Sequence, residues 1–398
     1  MLGFRVAGEV DLLWVECGGT RMTNLRAKMA LRCGLIVALV AVGLATVMAG
    51  VGAAQKLVEG KQLWSVGPLI KPQTVGSVAF GNGGATFSGM HVDSQTGSTF
   101  AATRSVVFVG DRIVVAASLG MLTVVGRPTP VRMCELLSLD AQTGVVKDRR
   151  DISECASLAI FATNDGHVIV SSNNVLRLTP DLKDDGTLDY HATGHKFEGI
   201  QNGSPDGSTL GNATNPGFEL VDARTLKVTQ LTGDPAVDTS VSSKGFVTDN
   251  VQWIGKYPKE VGFVTYVDAA GSHLLYHGQC GGRPQFLTDD LILEPGCKDP
   301  LIIDAQGNVV KILSVNGRFS FAGVSQNGKR LALQIAKISS KGVLEKERFV
   351  IYSVESGEAI AVAAAKELAE EQSWTAFSPD GSMFVVGSPL KLTLYRLP

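Results

Sequence analysis

Several things are scarce in this sequence, and each shortage removes a class of function. Charged residues make up 19% of the 398 positions, and 36 Lys and Arg nearly balance 38 Asp and Glu. No run of basic residues interleaves with aromatics, so the electrostatic footprint of a nucleic-acid-binding surface is missing and nucleic acid is excluded as an expected partner. Beyond residue 100 there is no long helical periodicity; "AAKELAEEQ" at 364–372 is the one credible helical turn. No G-x-S-x-G elbow occurs in a strand-to-helix context, which removes the nucleophile of that hydrolase type. The glycine-rich "FGNGGATFSG" at 80–89 has no Lys and no following helix, so it is not a phosphate-cradling loop.

One long apolar run stands near the start. Arg26, Lys28 and Arg32 precede a stretch from Gly34 to about Val51, which closes on Gly52, Ala53 and Ala54 before Gln55. A basic stub, an apolar stretch and a small-residue exit describe a secretory signal peptide. Asp11 and Glu16 lie ahead of the stub, so translation starts at Met22 or Met29, or the run stays uncleaved. Its length of roughly 18 residues also suffices for a membrane anchor. The expected organisation is a leader over 1–54 and one domain over 55–398, exported to the periplasm or the extracellular space. The alternative is an inner-membrane anchor, with membrane contact only if the leader is retained. The leader carries five basic and three acidic residues, so the net charge of −2 becomes −4 for the exported part.

Two of the six cysteines, Cys17 and Cys33, fall in the leader, leaving Cys134, Cys155, Cys280 and Cys297. An even count in an exported chain suggests two disulfides. Sequence-local pairing, 134 with 155 and 280 with 297, is the simplest of three connectivities, and each such loop would contribute about 3 kcal/mol. Four small buried thiols are the plainer alternative.

From residue 100 onward, short runs of Val, Ile, Leu, Phe and Thr alternate with Gly, Asp, Asn, Ser and Pro, the grammar of an all-β chain. One phrase, strand then polar turn then strand, recurs as "LLSLDAQTGVVK", "FELVDARTLKVTQL", "FVTYVDAAGSHLLY", "LIIDAQGNVVKIL" and "FVIYSVESGEAIAV", with looser copies in "VLRLTPDLKDDG" and the terminal "LTLYRLP". Its turn-opening positions are Asp140, Thr179, Asp222, Asp268, Asp304, Ser353 and Tyr395, spaced 39, 43, 46, 36, 49 and 42 residues apart. A second phrase falls between copies: "FATNDGHVIVSS", "GSPDGSTLGNA", "VSQNGKRLALQ" and "FSPDGSMFVVGS". Its Asp-Gly and Asn-Gly dipeptides tolerate the positive φ of a tight hairpin. A period near 42 with about four strands is that of a propeller blade. The fold class is therefore all-β, a seven-bladed β-propeller of four-stranded antiparallel blades. The last register, Tyr395, has no partner after it, whereas "LVEGKQLWSVG" at 57–67 is a lone strand candidate. Pairing the two would close the ring and hide an apolar edge.

"FSPDGSMFVVGS" and "LLSLDAQTG" resemble the repeats of the WD40/YVTN-type propeller superfamily, including propellers grouped with the quinoprotein amine dehydrogenase β-chain. The resemblance implies a rigid disc with loops on two faces and an axial channel. True WD40 repeats place Gly-His and Trp-Asp pairs at strand ends, and no register here carries them. "LDAQTGVV" is similar to the strand-turn motif of pyrroloquinoline-quinone propellers, but Trp64, Trp253 and Trp374 do not follow that motif, which favours a plain turn.

The remaining candidates for chemistry are thin. His191 and His195 in "YHATGHKF" are four apart, but Ala192 stands where a zinc-protease helix needs Glu, and Gly194 opposes a helix. Asp181, Asp184, Asp185 and Asp189 give "DLKDDGTLDYH" the acidity of a calcium loop. Ala192 falls at the twelfth position, where an EF-hand has Glu, and solvated turns are the simpler reading. His167 reads as a hairpin-flanking side chain, His91, His273 and His277 form no motif, and "GSPDGSTLGNATNPG" reads as an exposed connection. The expected function is a non-catalytic binding or interaction module. It would take an unidentified protein or small molecule through face loops, with inserts near 81–105, 182–204 and 250–260. No catalytic or cofactor residue is identified, and calcium is the only cofactor class with any compositional support. The alternative is a periplasmic propeller enzyme, lactonase-like with a metal or quinoprotein dehydrogenase-like.

Overall fold

The apolar runs on either side of the short polar turns pair as consecutive antiparallel hairpins, and two hairpins make each sheet. The computed structural model describes residues 57–67, 73–74, 91–92, 98–100, 102–122, 131–152, 158–172, 174–189, 200, 202–214, 217–231, 239–254, 259–278, 282–295, 299–338, 344–363, 374–387 and 391–398. Blade 1 consists of Ala102–Val109, Arg112–Leu122, Val131–Asp140 and Val146–Ile152, and blade 2 of Ala159–Ala162, Val168–Ser171, Val175–Leu178 and Asp184–Leu188. Blade 3 follows with Asn202–Gly203, Thr209–Thr214, Gly217–Asp222 and Val228–Leu231, and blade 4 with Thr239–Val241, Gly245–Ile254, Lys259–Asp268 and Gly271–Gly278. Blade 5 is Gln285–Thr288, Leu291–Glu294, Leu301–Asp304 and Val309–Ile312; blade 6 is Arg318–Val324, Arg330–Ile338, Leu344–Ser353 and Ala359–Ala363. Blade 7 has three strands from the end of the chain, Trp374–Phe377, Met383–Gly387 and Leu392–Arg396.

Its fourth strand is Lys61–Val66, antiparallel to Leu392–Arg396 with Trp64 opposite Leu394. The predicted latch is therefore present, and it has a second part. Val58–Glu59 adds a fifth strand to blade 6, parallel to the outer strand with Val58 opposite Ala361, and the Gly60 amide donates to the Val362 carbonyl at 2.9 Å. The nine residues Val58–Val66 thus bind two blades. A separate three-stranded sheet joins Gln73–Thr74, His91–Val92 and Ser98–Phe100.

Ring closure is visible in the core. Among the described residues the buried apolar side chains fall into seven clusters, one between each pair of neighbouring blades. Strand alternation divides them: Val114 and Ala116 face blade 2, whereas Ile113 and Val115 face blade 7 together with Val385, Leu392 and Leu394. Second and third strands are covered on both faces, so Val168–Ser171 and most of Gly217–Asp222 are buried throughout. The outer Val146–Ile152 alternates instead, with Lys147, Arg149 and Asp151 in solvent. Polar ties reinforce most interfaces. Ser138 donates to the Pro180 carbonyl at 2.7 Å, Arg177 to that of Ala223 at 2.9 Å, and Asn327 to that of Asp380 at 3.0 Å. Between blades 3 and 4 the tie is the stacked pair Phe218 and Phe246.

Both recurring phrases prove to be turns on one face of the disc. In the first-to-second strand turns, the hydroxyls of Thr163, Ser204, Ser325 and Ser378 donate to Asp165, Asp206, Asn327 and Asp380 at 2.6–2.7 Å. The same hydroxyls accept from the amides of His167, Thr209, Arg330 and Met383 at 2.8–2.9 Å. Each turn then needs a positive φ, met by Gly166, Gly207, Gly328 and Gly381. In the third-to-fourth strand turns, Asp140 accepts from the amides of Gln142 and Thr143 and from the Thr143 hydroxyl, and Asp222 accepts in the same way from Arg224 and Thr225. These bonds hold both carboxyls below the usual range, led by the Thr143 hydroxyl at Asp140 and by the Thr225 amide at Asp222.

Four expectations need correction. "GSPDGSTLGNATNPG" is no exposed connection: Thr209–Thr214 is the second strand of blade 3, and Leu210 and Asn212 are buried. Small residues are needed there because a Cβ on Gly211 would run into the Val241 side chain of blade 4. The region 250–260 is largely two extended strands, Gly245–Ile254 and Lys259–Asp268. Likewise Asp184–Leu188 is a blade strand, and Ala102–Val109 begins blade 1 inside the expected 81–105 insert. The stretches 80–89 and 364–372 lie outside the described residues.

Candidate functional site: the axial channel

The first strand of every blade faces the axis, and the seven together enclose a cavity of about 370 Å³. Its walls carry aromatics such as Phe161 and Phe321, with Ser105, Asn202, Ser240, Gln285 and Thr375 as polar groups. Small residues let the strands crowd inward. A Cβ on Gly203 would sit 2.9 Å from the Phe161 ring. Two of the hydroxyls are engaged between blades: Ser240 accepts from the Phe286 amide at 3.0 Å, and Thr375 donates to the Ala322 carbonyl.

At the turn face the channel narrows. Gln326 of blade 6 reaches across the axis to blade 3 and donates to the Asp206 carbonyl at 2.8 Å, while the Gly207 carbonyl accepts from Asn164 of blade 2 at 3.2 Å. A Cβ on Gly207 would lie 2.6 Å from the Ala162 carbonyl oxygen and 2.8 Å from the Gln326 amide nitrogen. Glycine at 207 thus serves both the hairpin and the crossing. Among the described residues no lining side chain is ionisable: none is Asp, Glu, His, Lys, Arg, Cys or Tyr. The site can offer hydrogen bonds from amides and hydroxyls and contact from rings.

A charge network lies instead in blade 2. Arg177, only 5% exposed, donates to Asp165 and Asp185 at 2.8 Å each. His167 bridges the same two carboxylates, 3.3 Å from each. Burial alone would raise the Asp165 pKa, but hydrogen bonds from Arg177 and Thr163 outweigh it and hold the carboxyl at about 2. His167 thus flanks its hairpin as expected, inside a charge network that sequence spacing did not reveal. The acidic loop is also committed: Lys183 pairs with Asp181, Arg150 with Asp184 and Arg177 with Asp185. Among the described residues no group of three or more His, Cys, Asp or Glu is placed to hold a metal ion. His191, His195, Cys155, Cys280 and Cys297 lie outside the described residues; Cys134 is buried in blade 1 and disulfide-bonded.

No family model and no curated protein matches the chain. Among solved structures, the C-terminal WD40 domain of Sif2 is 10% identical with a TM-score of 0.40, covering 75% of this chain and 97% of that one. A chain of a mitotic checkpoint complex is 14% identical with a TM-score of 0.46, covering 83% and 94%. These are likenesses of fold alone. The chain is a seven-bladed β-propeller. Strand pairing alone establishes that arrangement. The channel lining was missed in the sequence, although a signal was there. In "AIFATNDG" and "WTAFSPDG" the residues three to six positions ahead of the Asp are the axial strands.

Proposed function

We propose that the protein is an exported, non-catalytic propeller that acts as a binding module, taking a protein or a small molecule at its faces and channel mouth. The carrying observation is the neutral channel. Propeller enzymes of the lactonase-like or quinoprotein-like kind would need carboxylates or other ionisable groups converging on the axis, and the described residues that line the channel are all uncharged. Amides, hydroxyls and rings suit recognition, which needs a few placed polar groups in an apolar wall. Export is supported by the basic, apolar and small-residue order of the leader, and it fits pairing of Cys134 with Cys155 and of Cys280 with Cys297.

Native mass spectrometry and metal analysis of protein recovered from the cell envelope test this reading. The expected product begins near Gln55 and carries no stoichiometric metal or quinone. One tightly held calcium or quinone per chain would favour the enzyme, and an intact leader would replace export with anchoring.

A further inference from the structure

The outer strand of each blade is a sheet edge, and edges left apolar invite another strand. Most edges here are guarded. Blade 1 shows Lys147, Arg149 and Asp151, blade 2 Asp184 and Asp185, blade 3 Thr229 and Gln230, and blade 7 Lys61 and Gln62. Blade 6 has an uncharged edge, Ala359–Ala363, and the chain covers it with Val58–Glu59. The blade 4 edge, Gly271–Gly278, exposes Leu274 among the polar Ser272, His273 and His277, whereas the blade 5 edge is the more apolar of the two: it reads Val-Val-Lys-Ile over Val309–Ile312, and no described strand pairs with its open side. Val309, Val310 and Ile312 are 46%, 46% and 65% exposed, half of the strongly exposed large apolar side chains among the described residues.

Register fixes what each side chain faces. Val309 lies opposite Ile303 and Ile312 opposite Leu301, both of which pack toward blade 4. Lys311 lies opposite Ile302, which packs toward blade 6, and its stem runs 3.6–3.7 Å from a Cβ built on Gly357. Lys311 forms no ion pair with another described residue. The edge also continues an interface already made, because Ile302 and Leu313 share a core with Leu57, Ala359 and Val362 around the added strand of blade 6.

We propose that the outer edge of blade 5 binds an extended strand of a partner polypeptide. That strand adds beside Val309–Ile312 as Val58–Glu59 adds to blade 6, with apolar side chains toward Val309 and Ile312 and an acidic residue beside Lys311. Unpaired main-chain groups require an extended occupant, and alternate side chains supply its selectivity. Symmetric pairing of two copies through four residues falls well short of the roughly 1,200 Å² that a stable interface buries.

The test uses the full chain and a fluorescent eight-residue peptide of alternating Val and Glu, with a Val–Lys peptide for comparison, read by anisotropy. Saturable binding of the Val–Glu peptide is expected, weakened about tenfold or more by Ile312→Asn. Lys311→Glu should transfer preference to the Val–Lys peptide, which a merely structural lysine would not do. Leu274→Asn, an exposed change on the blade 4 edge, should alter nothing. Absence of saturable binding, equal binding to wild type and Ile312→Asn, or a wild-type dimer abolished by Ile312→Asn would each overturn the proposal.

Discussion

Replacing Trp64 tests ring closure at a single side chain. The residue sits on the strand that the start of the chain lends to blade 7. Its indole N–H donates to the Ala141 carbonyl of blade 1 at 2.9 Å, and its ring packs into the blade 7–blade 1 core. Truncating a fully buried aromatic to Ala costs about 3–5 kcal/mol. Trp64 is half-buried, so Trp64→Ala should cost about 2–3 kcal/mol. Trp64→Phe keeps most ring contact and loses the donor, for about 1 kcal/mol. Urea unfolding followed by circular dichroism reads both. With a slope of about 3 kcal/mol/M or more, Trp64→Ala should lower the midpoint by about 0.5–1 M at unchanged slope. A Cβ on Gly144 of blade 1 would lie 2.8 Å from Val66 and 3.0 Å from the Trp64 ring. Gly144→Ala should therefore cost less when Trp64 is already Ala, a coupling that a double-mutant cycle detects. Strict additivity, or a Trp64→Ala midpoint within roughly 0.2 M of wild type, would refute the latch as a source of stability.

Other outcomes follow from the same geometry. Gly307 has φ +84°, and an added Cβ would meet the Leu275 carbonyl of blade 4, so Gly307→Ala should destabilise by more than about 3 kcal/mol. Gly166 has φ +81° with nothing within 4 Å, so Gly166→Ala should cost only about 1–2 kcal/mol in the same melts. Arg177→Gln leaves Asp165 and Asp185 short of their partner and should cost about 3–5 kcal/mol. Asp165 and Asp181 are both held at about 2, below the unfolded value. Their stabilisation is complete above about pH 4 and is lost as the pH falls toward 2, so the acid limb of the unfolding curve should move upward in Arg177→Gln. Non-reducing peptide mapping should recover Cys134 linked to Cys155; four free thiols would remove the disulfide proposal.

The blade count, the turn positions and the latch could be read directly from residues. Asp-Gly turns and Asp-opened turns are local devices, in which a carboxylate gathers nearby amides and a glycine supplies positive φ, and the seven registers, four of them opened by Asp, mark seven blades. "LTLYRLP" and "LVEGKQLWSVG" each looked like half of a sheet because an apolar edge must be covered, and Trp64 does lie opposite Leu394. Other features were set by contacts between residues far apart in sequence. "GSTLGNAT" reads as a loop by composition, and becomes a buried strand because Val241 of the next blade leaves no room for a Cβ at Gly211. The Arg177 network joins hairpins whose spacing alone implies no contact. Which side chains meet on the axis, and that the described ones are uncharged, depends on seven strands converging around a line that no stretch of sequence contains. Local hydrogen bonding is written into neighbouring residues, whereas the character of the channel arises only when the ring closes.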